Sequence, residues 1–145
     1  MSSLTPHGEG FSFLDTFEMT ANPKRGRGAK WLDPQLPFFA DHFPGKPLMP
    51  AVLLIECAAQ AAGALWAVHQ GAKSTVPFAL AQVVQFKILR AVLPGENVET
   101  DVTLETEFGQ LAQFAVALRV NQREVALGRL ALALDLGRGP ESSLG

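Results

Sequence analysis

The longest apolar stretch of the chain covers residues 51–68, AVLLIECAAQAAGALWAV. Alanine and leucine dominate it and favour a helix. Pro50 suits a first helical turn, where its missing N–H costs nothing, and His69 and Gly71 mark the end. The helix is apolar around nearly its whole circumference, so it must be covered on all sides.

Downstream the period falls to two. Val98, Thr100, Val102, Leu104 and Thr106 alternate with Glu99, Asp101, Thr103, Glu105 and Glu107, which predicts a half-buried strand with an acidic outer face. Phe114, Val116, Leu118 and Val120 predict another, and the polar NQRE predicts a hairpin turn into a last strand. In that strand Val125 and Leu127 fall out of phase with Leu130, Leu132 and Leu134; a bulge at Gly128 would restore one buried face. VLPGENV (92–98) reads as a turn after a long strand over roughly residues 78–90. Upstream, residues 11–20 read as a first extended segment, NPKRGRG (22–28) as a turn, and residues 29–32 as a short second strand. The sum is an α+β architecture: one dominant helix and about six antiparallel strands. A single curved sheet wraps most of such a helix, and burial alone asks for a second subunit to complete the cover.

The 145 residues suit one domain, 1–145, with Ser-, Gly- and Pro-rich ends (1–10 and 137–145) as loose tails. With 48% hydrophobic and 18% charged residues the chain can build a core. A net charge of -2 and a pI near 5.9 give no electrostatic reason to expect nucleic acid or an anionic membrane as partner. The single cysteine, Cys57, excludes an intrachain disulfide and fits a reducing compartment. MSSLTPHGEG has neither the basic start nor the apolar core of a signal peptide, and Glu56 and Gln60 interrupt the one long apolar run. A cytoplasmic protein is the expectation.

Two residues stand out chemically. Glu56 lies among Val52, Leu53, Leu54, Ile55, Cys57, Ala58 and Ala59, which predicts a carboxyl with no water-facing side. Glutamate is almost never fully buried without a partner, burial favours its neutral form, and active sites collect such acids. The plainer alternative is a structural carboxyl satisfied by Gln60 one turn later or by a backbone donor. Fourteen residues upstream, His42 sits in a loop that Pro44, Gly45, Pro47 and Pro50 leave few conformations, a setting that positions a side chain. The plainer alternative there is a solvent-facing histidine. The N–H groups around Ala51 and Val52 lie at the positive end of the helix and suit developing negative charge on an oxygen, although most helix starts bind only water. His7, His42 and His69 are scattered, so there is no zinc-ligand spacing and no metal is expected. No nucleophile elbow, phosphate-cradling loop or dinucleotide fingerprint occurs. Cys57 reads as a small core residue rather than a nucleophile.

The stretch HFPGKPLMPAVLLIECAAQAAG resembles the β-hydroxyacyl-(acyl carrier protein) dehydratases of the FabZ type, a hotdog-fold family. His42, Phe43, Pro44, Gly45, Pro47, Met49, Pro50, Val52, Leu53, Glu56, Ala59 and Gln60 fall in register with that family's H-F-P-G-x-P-x-M-P-G-V-L and following E and A-Q. FKILRAVLPGENV resembles its basic strand and turn. The resemblance implies a hotdog fold, a homodimer with a shared active site, possible assembly as a trimer of dimers, and acyl carrier protein as the partner that delivers substrate. His42 would be the general base and Glu56 the acid that protonates the leaving hydroxyl. Phe43, Pro50, Ala51 and Gln60 would bind substrate, Ala51 through its N–H, with no metal or redox cofactor. The chain departs from the pattern at Ala51, where the family has glycine, and at Asp41, where a small residue is common. It also lacks the N-terminal Arg-Tyr-Pro-Phe signature and has no tyrosine at all.

Two other readings remain at this stage: a non-catalytic acyl-binding hotdog subunit paired with an active relative, and an acyl thioesterase. Lys24, Arg25, Arg27, Lys30, Lys87 and Arg90 are candidates for docking an acidic carrier protein, or else ordinary solvated charges.

Overall fold

The computed structural model describes residues 13–35, 51–71 and 78–134. It holds one long helix, α1 (Ala51–His69), and six strands: β1 (Thr16–Met19), β2 (Arg25–Trp31), β3 (Phe78–Ile88), β4 (Asn97–Phe108), β5 (Leu111–Val120) and β6 (Arg123–Leu134). The strands form one antiparallel sheet in the order β1-β2-β4-β5-β6-β3. All six face α1 on one side.

The helix follows the sequence expectation to within a residue at each end. At 19 residues it is about 28 Å long. From Cys57 to Trp66 every residue is buried, including Gly63. Its sheet-side neighbours include the alternating residues expected of β4 and β5, Val98, Thr100, Val102 and Leu104 from one and Phe114, Val116, Leu118 and Val120 from the other, and Ala112 extends the second row. Trp66 meets Phe114 edge-on, ring centroids 6.0 Å apart. At Gly63 the sheet comes so close that an added Cβ would stand 2.2 Å from the Phe78 ring.

Four expectations need correction. Of the first extended segment, expected over residues 11–20, residues 11 and 12 lie outside the described residues, and among the rest the strand runs only Thr16–Met19; Phe13 and Leu14 are buried without joining it. The charged, glycine-rich residues 25–28, expected as a turn, belong to β2. Gly26 and Gly28 lie on its inner face because Phe17 and Leu14 occupy the space; a Cβ at either would be 2.3 Å from one of those side chains. Arg25 and Arg27 point outward, so one strand carries both the charge and the small residues that read as a loop.

The third correction concerns β6. The pairing Leu118↔Ala126 followed by Arg119↔Glu124 makes Val125, not Gly128, the extra residue against β5. Ala126, Gly128, Leu130 and Leu132 then keep one phase, and Leu127 stays on the opposite face. Gly128 serves the other neighbour. The register of β3 shifts between Val84 and Lys87, which brings the backbone of Phe86 to 2.7 Å from where a Cβ would stand. The fourth is Glu107. A register shift between Leu104 and Thr106 turns Glu107 from the acidic outer face to the helix side, where its Oε2 accepts from Trp66 Nε1 at 2.7 Å.

On the outer face Asp101 sits between two cations. Its Oδ1 accepts from Arg27 Nε at 2.6 Å and its Oδ2 pairs with Arg119. Glu105 takes both Arg129 Nε and Nη2. The strand β3 pairs with β6 on one side only and exposes Leu80, Val83 and Ile88.

Candidate active site

The site is assembled on the first half of α1. Ala51 is its first residue, and no acidic side chain stands in its first turn. Glu56 lies about 7.5 Å further along the axis at 1.5 Å per residue. Glu56 is half-buried as a residue, not fully buried as the sequence suggested. The reason is positional: burial around the whole helix starts at Cys57, whereas Leu53, Ile55 and Glu56 stand before it and keep partial exposure.

One turn on, Gln60 is fully buried and spans two groups. Its Oε1 accepts the backbone N–H of Phe13 at 2.8 Å, and its Nε2 donates to Glu56 Oε2 at 3.2 Å. The first bond fixes which end of the amide is oxygen, so the second end is the donor that meets the carboxyl. The plain alternative raised for Glu56, a partner at Gln60, is therefore realised.

Beside this pair lies a second one. Lys30 Nζ is 3.3 Å from Asp15 Oδ1, and Asp15 Oδ2 accepts the N–H of Trp31 at 2.7 Å. Lys30 shares the inner face of β2 with Gly28, and its side chain is 12% exposed, which removes it from any docking surface. Burial pushes the Cys57 thiol up to about 12, with Lys30 opposing the shift and Glu56 and Asp15 adding to it. Cys57 is thus a core thiol, as the sequence implied.

Of the expected site residues, the structure brings Glu56 and Gln60 together and places Ala51 at the helix start. His42, Phe43 and Pro50 lie outside the described residues, as does Asp41. Sequence reasoning missed Phe13, whose contribution is a backbone N–H and leaves no side-chain signal. Among the basic candidates Arg27 is engaged by Asp101, whereas Lys24, Arg25, Lys87 and Arg90 are exposed. Arg90 borders a cleft of about 370 Å³ with Arg123 and Glu96. No helix among the described residues is long and apolar enough to cross a membrane.

Comparison with known proteins agrees with this layout. The family model described as ApeI-like, ApeI dehydratase, matches residues 18–129. The 3-hydroxyacyl-(acyl-carrier-protein) dehydratase FabZ of Clostridioides difficile is 33% identical over 135 residues, 92% of this chain and 94% of that protein. Its namesake from Bartonella quintana is 31% identical over 129 residues, covering 89% and 83%. Among solved structures, the dehydratase heterocomplex ApeI:P from Xenorhabdus doucetiae superposes with a TM-score of 0.77 over 97% of this chain and 92% of that one, at 15% identity. That likeness is one of fold, and the fold is the hotdog: a long helix wrapped by a six-stranded antiparallel sheet. Since the family match runs from β1 into β6 and the curated relatives are covered over most of their length, the chain belongs to the ApeI-like family of dehydratases.

Proposed function

We propose that the protein removes water from β-hydroxyacyl thioesters carried on an acyl carrier protein, giving trans-2-enoyl thioesters. The observation that carries this reading is the half-buried Glu56, held by Gln60 on α1, in a chain whose curated relatives are named as dehydratases of such substrates.

The chemistry needs a base and an acid on opposite sides of one Cα–Cβ bond. His42 takes the proton α to the thioester carbonyl, and the electron pair moves into an enolate. The N–H of Ala51, at the positive end of α1, steadies the charge on the thioester oxygen. The pair then returns to form the Cα–Cβ double bond as the β-hydroxyl leaves with a proton from Glu56, released as water. Gln60 donates to Oε2 of that carboxyl. His42 and Glu56 meet across a homodimer interface in this reading. The open edge of β3, with Leu80, Val83 and Ile88 exposed, supports a second copy packed along that strand. The enzyme works in the cytoplasm.

Product analysis by mass spectrometry tests the proposal, using a short β-hydroxyacyl thioester with wild type, His42→Ala and Glu56→Gln. Enoyl thioester from wild type and almost none from either variant is the expected result. Free acid would make the protein a thioesterase. Intact thioester from wild type on both carrier-protein and CoA supports would overturn catalysis by this chain alone and leave the acyl-binding subunit.

A further inference from the structure

The outward face of the sheet is made of two unlike halves. Over β1, β2 and β4 it carries Glu18, Arg25, Arg27, Glu99, Asp101 and Glu105, the charged surface a sheet shows to water. Over β5, β6 and β3 the outward positions line up in rows: Gln113, Ala131 and Gln82, then Ala115, Arg129 and Val84, then Ala117, Leu127 and Lys87. Short and apolar side chains dominate these rows. Ala115 makes room for the Glu105–Arg129 bridge between its two neighbouring strands, which accounts for that alanine but not for Ala131 or Leu127. A cleft of about 290 Å³ opens on this half, lined by Ala117, Leu127, Lys87, Glu124 and Arg129. Lys87 and Glu124 are exposed there, and neither has an ion-pair partner among the described residues, whereas Arg27, Arg119 and Arg129 on the same face are all engaged.

We propose that this half of the outward face is the contact surface for a second copy of the chain, packed sheet against sheet about a two-fold axis that lies in the interface over Leu127. Charge complementarity selects that occupant. Lys87 stands beside Leu127 in its row, and Glu124 stands on the next row of β6, past the Val125 bulge. A two-fold between them sets Lys87 of each copy against Glu124 of the other, so one symmetric contact answers both unpaired charges. One free charge of each sign gives a strongly acidic or strongly basic partner no advantage over a surface like this one. The short side chains of Ala115 and Ala117 let two such sheets approach to the usual spacing of about 10 Å. Three strands some ten residues long present roughly 500 Å² per copy, hence about 1,000 Å² in all, at the lower limit for a specific contact. The association is therefore concentration-dependent. It uses the face of the sheet, not the open edge of β3, and stands apart from α1 and Glu56, so it does not depend on the dehydratase reading. Arg90 borders the other cleft and stays free for a carrier protein.

Sedimentation of the full-length protein over a range of concentrations tests this, with wild type, Leu127→Asp, Lys87→Glu, Glu124→Lys and the double reversal Lys87→Glu/Glu124→Lys. The mass of wild type should rise with concentration to twice that of Leu127→Asp, whether the smaller unit is one chain or a pair joined along β3. Each single reversal should weaken the association about tenfold or more, because it sets like charges against each other at both ends of the symmetric contact. The double reversal exchanges the two signs and should restore it to within about threefold of wild type. Equal masses for wild type and Leu127→Asp at every concentration would overturn the proposal. Equal masses with a lower melting temperature for Leu127→Asp would also overturn it, and would show that the face is covered from within its own chain. If Leu127→Asp does not fold, the reversals decide by themselves. Single reversals that associate like wild type would overturn the proposal, and so would a double reversal no better than either single one.

Discussion

The thiol of Cys57 offers a quantitative test of how tightly α1 is enclosed. Burial raises it from its ordinary value of 9.0 to about 12. Between those values an unfolded chain releases the proton and the folded chain does not. The unfolded state then binds fewer protons, and stability must fall as pH rises above about 9. For a single group at pH 10.5 the loss relative to neutral pH is about 2 kcal/mol, and it hardly changes as long as the folded thiol stays above about 11. The composition makes the measurement clean: the chain has no tyrosine, so no phenol titrates in this window, and its five lysines are common to wild type and variant. Urea unfolding at pH 7 and pH 10.5, compared between wild type and Cys57→Ala, isolates the thiol. The alanine variant should be the less stable at pH 7, having lost a buried sulfur, and should recover about 2 kcal/mol relative to wild type at pH 10.5. The ultraviolet thiolate band should stay absent from folded protein and appear on unfolding. Parallel stability curves for the two proteins, or a thiolate band in the native state near pH 9, would refute the enclosed helix at this position.

Three further perturbations address other parts of the fold. Gly63→Ala places a methyl 2.2 Å from the Phe78 ring and should cost about 1–3 kcal/mol in chemical denaturation, the usual penalty for an overfilled core. Glu107→Leu leaves the buried Trp66 indole N–H without its carboxylate; a loss of about 1–3 kcal/mol is expected, with a shift in the emission of Trp66 measured in a Trp31→Phe background. Replacing both Lys87 and Arg90 by Glu should weaken turnover of carrier-bound substrate more than that of the CoA analogue, and equal losses in paired kinetic assays would remove these residues from docking.

The parts of this fold that were legible in sequence are those whose periodicity is local. The helix, β4, β5, the β5–β6 hairpin and the start of β3 all announce themselves through apolar spacing or turn chemistry. The strand β2 did not, because its inner face is built from Gly26 and Gly28, and a glycine pair beside arginines has the composition of a turn. Only Phe17 and Leu14, which fill the space above those glycines, explain the choice. The bulges were harder still. A phase break in β6 was visible, but Gly128 was the obvious residue to blame, and its small size answers to a close approach by β3 that sequence does not encode locally. Glu107 looked like one more outward acid because the shift that rotates it depends on pairing with β5.

The candidate site divides along the same line. Glu56 and Gln60 were found because an acid and an amide in an apolar helix are conspicuous, and their spacing of four residues already puts them on one face. Their division of labour was not visible. Resemblance alone assigned Gln60 to substrate binding; in the structure its oxygen accepts from Phe13 N–H and its nitrogen donates to Glu56. The Phe13 partner is a backbone amide that any residue at position 13 except proline would supply. The same logic explains why the acid stands before Cys57 and not after it. One turn later the sheet encloses the helix completely, and a carboxyl there would have neither water nor substrate to meet. Placed at position 56, it stands half-buried at the edge of the enclosed stretch, with Gln60, anchored in the closed part of the core, donating to it.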